Sequence, residues 1–411
     1  MRKLFDRKIG VNKMNDKLDM KYVNIQEVQE RLLSEEEAIS LLCKNNTVLL
    51  KGRNRNIAVG NGFLVKVATN IGVSNSKDLH YEYEKLKSIN NVKFAPDIIM
   101  DHTVIELDKP LWKTLVDDFS GAVGTLPHYL AYKSKNGIDE IQLLEMIEKM
   151  AEYGVSFITI HPTANESLLA IAKQDRILPT TARGGSIALI DLKINKRKEN
   201  VFEKHFLSIL KILKKYNMAV SIGTTFRPSN IFEALDRVHI EETKLQAHFV
   251  KTAKENGVGV LMEGVGHIRL NDIVKYAKTI KKINVPFMSL GPIPTDASIG
   301  FDHVASAIGA SQLGFLGVAK IFHSVTREEH TGNVPSPDSI IEGLKSARVA
   351  AHAVNISLFP NFAKIDKKVA LTRAHNKTCV INHGLFIDNI DENYTSGCNR
   401  CKHECPLVLN F

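Results

Sequence analysis

The sequence predicts an α/β fold in which repeated β–α units build a parallel sheet covered by helices. A closed barrel is preferred over an open, doubly wound sheet. Three observations carry this reading. Short apolar runs alternate with amphipathic helical stretches over some 250 residues of the 411-residue chain. The polar residues with chemical potential fall just behind those runs: His161 after FITI, Arg227 after VSIGTT, and Glu263 and His267 after GVLM. Loops at strand C-termini converge on one mouth in a barrel, although open sheets also bind ligands there. Finally, neither GxGxxG nor GxxxxGK[ST] occurs at a strand–helix junction, which lowers the open nucleotide-binding alternative.

Taken in order, residues Tyr22 to Leu50 carry a charge-rich helical pattern. It includes SEEEAISLL, where Ser34 caps an acidic first turn. Residues 1–60 are therefore expected to form a helical N-terminal region, 61–365 the barrel, and 366–411 an appended arm. Strands are expected at Val155–Ile160, Ala219–Gly223, Val258–Met262 and Val285–Leu290. Between them, Phe206, Ile209, Leu210 and Leu213 keep the i, i+3, i+4, i+7 spacing of one buried helical face. Leu143, Ile147 and Met150 mark another helix. From about Asp366 the alternation ends, leaving a helical stretch, AKIDKKVALTRAH, and the segment GCNRCKHECP.

Composition excludes several classes. A hydrophobic content of 44% and a mean hydropathy of -0.10 describe a globular protein with an ample core. One tryptophan, Trp112, and 7% aromatic residues supply no stacking surface for single-stranded nucleic acid. The net charge of +9 fits phosphorylated small molecules, and neither a nucleic-acid nor a membrane partner is expected. A basic cluster at Lys193, Lys196, Arg197 and Lys198 reads as a solvated loop. The basic N-terminus lacks an apolar signal core, and no run reaches the roughly 18 apolar residues of a membrane span. A cytoplasmic location is expected. Five cysteines, an odd number, argue against a disulfide framework. Cys43 and Cys379 read as ordinary buried or inert thiols.

Cys398-x2-Cys401-x3-Cys405 is the most informative motif. Three thiolates can hold a [4Fe–4S] cluster by three irons and leave the fourth open to the amino and carboxylate groups of S-adenosylmethionine. The rival is a structural zinc site completed by His403 or His383. EGVGH offers His267 as a metal ligand at a strand end, and REEHTG offers His330; a hydrogen-bonded surface histidine is the plainer reading of each. ARGGS, from Ala182 to Ser186, can present backbone N–H groups to an anion beside Arg183, or be a simple sharp turn.

These segments together resemble the phosphomethylpyrimidine synthase (ThiC) family. GPIPTDASIGFDHVASAIGA, Gly291 to Ala310, is similar to its GPLxTDxxxGYDHxxxAIGA stretch, EGVGH to its EGPGH, TARGGS to its SRGGS, and ATNIG to its NANIG. REEHTG and ARVAAHA resemble its KEHLG and KxAAHA, and the cysteine tail matches its short forms. The resemblance runs from about Gly60 to Cys405. It implies a (β/α)8 TIM barrel, and a homodimer in which the cluster arm reaches the neighbouring subunit. It also implies a [4Fe–4S] cluster, S-adenosylmethionine, an electron donor, and zinc or iron(II) between His267 and His330. Cys398, Cys401 and Cys405 would hold the cluster. Substrate contacts carry over to Asn70, Met100, Tyr129, His161, Arg183, Gly184, Arg227 and Glu263, with Ala182, Thr224 and Met288 at altered positions of the same set. The implied reaction rearranges aminoimidazole ribotide into the hydroxymethylpyrimidine phosphate of thiamine.

The departures fall on the substrate side. Ala182 replaces a serine, Thr224-Thr225-Phe226-Arg227 replaces DG(L/F)R, Met288 replaces a tyrosine, and Val265 replaces the proline of EGPGH. Lys402, His403 and Glu404 stand where the tail usually carries glycine and an aromatic residue. Three readings follow: the thiamine-pyrimidine reaction on the ribotide or a close analogue, a hydroxybenzimidazole synthase-like reaction for the lower base of a cobamide, or a non-catalytic ligand-binding paralogue.

Overall fold

Burial on both faces turns the short apolar runs into barrel strands, because a strand between a filled interior and an outer helix has no wet side. The computed structural model describes residues 34–44, 46–377, 379, 400–401 and 404–407. Helix α1 (Glu35–Leu42) comes first, its N-terminus closed by a capping box between Ser34 and Glu37. Strands β1 (Thr47–Leu50) and β2 (Ile57–Gly60) then pair antiparallel.

Eight parallel strands close the barrel, each followed by helix. β3 (Lys66–Ile71) leads to α2 (Leu79–Asn91), and β4 (Ile98–Asp101) to α3 (Leu111–Asp118). β5 (Ala122–Thr125) leads to the short α4 (His128–Ala131), a two-stranded ribbon of β6 (Tyr132–Lys133) and β7 (Gly137–Ile138), and α5 (Glu140–Tyr153). After β8 (Phe157–Ile160) come α6 (Glu166–Asp175), α7 (Arg183–Ile194), α8 (Val201–Lys204) and α9 (Phe206–Tyr216). β9 (Ala219–Ile222) precedes α10 (Arg237–Glu255), and β10 (Val260–His267) precedes α11 (Leu270–Ile283). β11 (Phe287–Ile293) is followed by α12 (Asp302–Phe315). β12 (Ala319–His323) is followed by α13 (Pro337–Leu358) and α14 (Lys364–Asn376). β12 pairs with β3 from Ile321↔Lys66 to His323↔Ala68, which shuts the cylinder. The architecture is the expected (β/α)8 TIM barrel.

Two cores follow from the strand geometry. Alternate side chains point outward to the helices, where the apolar faces of α5 (Leu143, Ile147, Met150) and α9 (Phe206, Ile209, Leu210, Leu213) lie buried. The others fill the interior: Ala68, Ile98, Ala122, Phe157, Leu261, Met288 and Ile321 pack there against Val48, Leu50, Ile57 and Val59 of the hairpin. Residues 47–60 are therefore not helical, as the N-terminal pattern suggested. Their β-branched residues alternate along two strands that plug the barrel floor, a tertiary role that local charge density does not reveal.

The basic cluster also departs from expectation at one position. Lys193, Lys196 and Lys198 are exposed, but Arg197 turns inward onto Asp191, Glu140 and the Ile138 carbonyl. Buried Asp191 ties that arginine to the Ile138 amide, so the segment is anchored rather than loose. Cys379 is exposed rather than buried, and Cys43 is half-buried. No helix among the described residues is long and apolar enough to cross a membrane.

Candidate active site

A cavity of about 520 Å³ opens at the C-terminal ends of the strands. Its wall takes Asn70 from β3, Met100 from β4, Tyr129 from α4, Thr159 and His161 from β8 and its loop, and Thr224 and Arg227 from the loop after β9. Glu263 and His267 of β10, Leu290 of β11, His323 of β12 and His330 beyond it complete the ring. All the sequence-predicted substrate and metal positions line this space except Met288. That side chain lies in the barrel interior among Leu261 and Ile321.

Helix α7 begins at the cavity wall, and its first turn explains ARGGS. Ala182 caps it without a side-chain hydrogen bond, so the start of α7 at Ala182, Arg183 and Gly184 meets the cavity edge with no capping side chain, the Gly184 backbone lying at the Tyr129 hydroxyl. Close approach requires the glycines: a Cβ on Gly184 would sit 2.3 Å from the His161 ring, and one on Gly185 would sit 2.5 Å from the Thr225 backbone. Arg183 lies 5.9 Å over the Tyr129 ring. Neither Arg183 nor Arg227 has a carboxylate within salt-bridge distance among the described residues, so both guanidinium groups are available to an anion.

Behind the wall, two buried side chains fix the loops. Glu242 of α10 accepts hydrogen bonds from the hydroxyls of Thr163 (2.7 Å) and Thr224 (2.6 Å) and from the amides of Thr225 and Phe226. This clamps the loop that carries Arg227. Gln246 donates to the carbonyls of Ile222, Gly223 and Glu263. Glu263 accepts from Thr159 and Ser221, both at 2.7 Å. Burial pushes its carboxyl above the ordinary range despite those bonds.

The cavity is rich in neutral imidazole. Burial lowers His102 and His161 to about 3 and His323 to about 4, with the nearby arginines adding to the effect. His102 Nε2, His161 Nδ1 and His323 Nδ1 are buried without a partner. His323 Nε2 donates to Asn70 Oδ1. His128, behind His161 at a ring separation of 5.3 Å, is fully buried with both nitrogens unpartnered. His102 and His323 escaped the sequence reading, yet they carry the signal that marked His161: a histidine directly behind an apolar strand. Their strands are short and flanked by charge, so the runs IIMD and AKIF did not stand out.

His267 and His330 meet at a ring separation of 5.0 Å. His267 Nδ1 donates to Asp296 (2.6 Å) and His330 Nδ1 to Asp302 (2.8 Å). A carboxylate only accepts, so each ring keeps its proton on Nδ1 and its lone pair on Nε2, the tautomer a metal requires. Burial further lowers His267, favouring the neutral ligand form. The donor set thus fits a metal held by two imidazoles, with remaining positions left to other ligands. The backbone between these groups is unusual. Val265 has φ 96°, a conformation β-branched residues rarely adopt, and the β10–β11 register shifts at this point.

Of the cysteine tail, Cys401 is exposed and Cys405 buried. The Glu404 amide donates to the Cys401 carbonyl at 3.0 Å. Neither residue lines the cavity, and Cys398 lies outside the described residues.

Sequence comparisons decide the family. The profile of the Radical SAM ThiC family matches residues 12–409. The chain belongs to that family. Relatives named phosphomethylpyrimidine synthase include one from Ignicoccus hospitalis, 35% identical over 378 residues, covering 87% of this chain and 85% of the relative. Another, from Thermotoga neapolitana, is 32% identical over 405 residues, covering 94% and 93%. A third, from Fusobacterium nucleatum, is 33% identical over 374 residues. ThiC membership makes this chain an enzyme of the radical S-adenosylmethionine class connected with thiamine biosynthesis, and it implies an iron–sulfur cluster with that cofactor.

Proposed function

We propose that this protein is a phosphomethylpyrimidine synthase acting on aminoimidazole ribotide, with the cavity at the barrel mouth as its active site. The observation that carries the reading is two unpaired arginines beside a bare helix N-terminus, facing neutral histidines and a buried glutamate in one 520 Å³ space. Arg183, Arg227 and the α7 amides bind the phosphate of the ribotide. Neutral His102, His161 and His323 accept from or donate to its ring and sugar groups without adding charge. Glu242 acts at a distance by holding the Arg227 loop. His267 and His330 hold zinc or iron(II), with Asp296 and Asp302 orienting the rings. Cys398, Cys401 and Cys405 would hold a [4Fe–4S] cluster, which would supply the electron for reductive cleavage of S-adenosylmethionine.

A homodimer fits this reading. Phe301, Val304, Ile308 and Phe315 form an exposed apolar stripe along α12, continued by Leu270 and Val274 of α11. That stripe starts beside Asp302 and hence beside the metal histidines, where a partner's cysteine arm would need to arrive. The alternative with an altered product draws less support, because Met288, one of its two main polar losses, faces the packed interior and not the cavity.

Anaerobic reconstitution with iron and sulfide, then reduction with S-adenosylmethionine and the ribotide, tests the proposal. Deoxyadenosine together with a phosphorylated pyrimidine is expected. A benzimidazole product, or no cofactor cleavage with a fully loaded cluster, would overturn it.

A further inference from the structure

Lys320 occupies an unusual place in β12. In the ladder with β11, Phe287 pairs with Ala319 and the next residue, Met288, pairs with Ile321, so Lys320 is the extra residue of a β-bulge. A bulge re-aims the side chain it carries. Here it delivers the ammonium to a cavity of about 50 Å³ on the N-terminal side of the barrel, opposite the active site. Lys281 of α11 lines the same cavity, with Asn46, Asn61 and Asn284. A third lysine, Lys254, donates to the Asn284 carbonyl.

No carboxylate among the described residues lines this space. Lys320 is half-buried yet makes no hydrogen bond or ion pair among the described residues. Burial, and secondly the charge of Lys281, lowers its amine to about 8. Lys281 is exposed, so it is the Lys320 ammonium whose withdrawal from water without a counter-charge is costly unless an anion completes it. Three lining asparagines carry side-chain donors suited to oxygen, and the cavity of about 50 Å³ admits a few small atoms, not a nucleotide base.

We propose that Lys320, Lys281 and the carboxamides of Asn46, Asn61 and Asn284 form a binding site for a small oxyanion of the phosphate class, separate from the catalytic mouth. The site stands whether or not the catalytic reading above holds.

Residue-resolved amine labelling of the cluster-loaded full chain tests it. Brief acetylation near pH 8, read by peptide mass spectrometry, compares Lys281 and Lys320 with Lys282, an exposed neighbour. Inorganic phosphate at about ten times its dissociation constant should slow labelling of Lys281 and Lys320 about tenfold and leave Lys282 unchanged. Chloride at equal ionic strength should protect neither. Methyl phosphate run in parallel separates free phosphate from the phosphoryl group of a larger molecule, and protection by either supports the site. A second measurement uses the Arg227→Ala background, which weakens anion binding at the mouth. There, phosphate should raise the thermal midpoint, and adding Lys320→Met should abolish that rise. Equal protection by chloride, equal slowing of Lys282, or a phosphate-dependent rise that survives Lys320→Met would each overturn the proposal.

Discussion

The two ends of the barrel treat buried polar groups in opposite ways. At the floor, Asp97 accepts from Arg348 (2.8 Å), Arg55 (3.1 Å) and the Val67 amide (2.8 Å), with buried Lys66 close by. Burial alone would raise this carboxyl, but the surrounding cations outweigh it and hold it at about 2. At the mouth, Arg183 and Arg227 lack carboxylate partners among the described residues, and His102, His128, His161 and His323 keep buried ring nitrogens unpaired there. The floor pairs its buried carboxylate with cations and so stabilises the fold, leaving Arg55 Nε as its one unpartnered atom in this cluster among the described residues. The mouth leaves its chemistry to be completed by a ligand. Lys320, incomplete on the floor side, breaks that division.

The sharpest test of this contrast is Asp97→Ala, which strands two arginines and a lysine. It should cost about 3–5 kcal/mol in urea unfolding; a loss below about 1 kcal/mol would erase the distinction between the two ends. Arg227→Ala at the mouth should act the other way round. Removing about 1.5–3 kcal/mol of charged hydrogen bonding to phosphate lowers kcat/KM roughly 10- to 150-fold, while the unfolding midpoint stays level or rises. A parallel drop in stability would show that this arginine is structural.

Smaller effects sharpen the picture. Asp302→Asn should weaken metal binding about 10- to 100-fold by freeing the His330 ring. Metal content after dialysis against a chelator reads this directly, and wild-type retention would remove Asp302 from the site. The mildest signal is in acid. His102, His161 and His323 are neutral when folded and take up a proton on unfolding, against an ordinary value of 6.5. Their stabilisation is therefore complete above about pH 6.5 and drains away as pH falls towards 4 and 3, by up to about 1.4 kcal/mol per pH unit for each ring. His323→Gln should flatten the stability–pH slope between pH 4 and 6.5; an unchanged slope would mean that ring is already protonated or solvated.

Legibility in the sequence followed how local each determinant was. The strands within Val155–Ile160, Ala219–Gly223, Val258–Met262 and Val285–Leu290 announce themselves because both faces are apolar. β3, β4 and β12 begin or end on Lys66, Asp101 and His323, or carry Lys320, and only tertiary neighbours make those polar residues tolerable inside a sheet. At the site, Arg227, Glu263 and His267 were visible behind their strands. Glu242 was not, since its partners Thr163 and Thr224 lie 79 and 18 residues away along the chain. Asp296 and Asp302 sit inside the very segment that carried the family resemblance. Their pairing with histidines 29 and 28 residues distant is set by the barrel, not by spacing.

The left-handed valine of β10 has a consequence for any attempt to restore the family's EGPGH. Proline is locked near φ −65°, whereas Val265 holds 96°. Reintroducing the ring alone would force the strand to unwind between Glu263 and His267, tilting the His267 imidazole away from His330 and Asp296. Glycine, by contrast, takes the same torsion without cost, so Val265→Gly relaxes the segment and Val265→Pro breaks it. In this stretch, ancestry is written in the path of the main chain, and reverting it demands concerted rather than single exchanges.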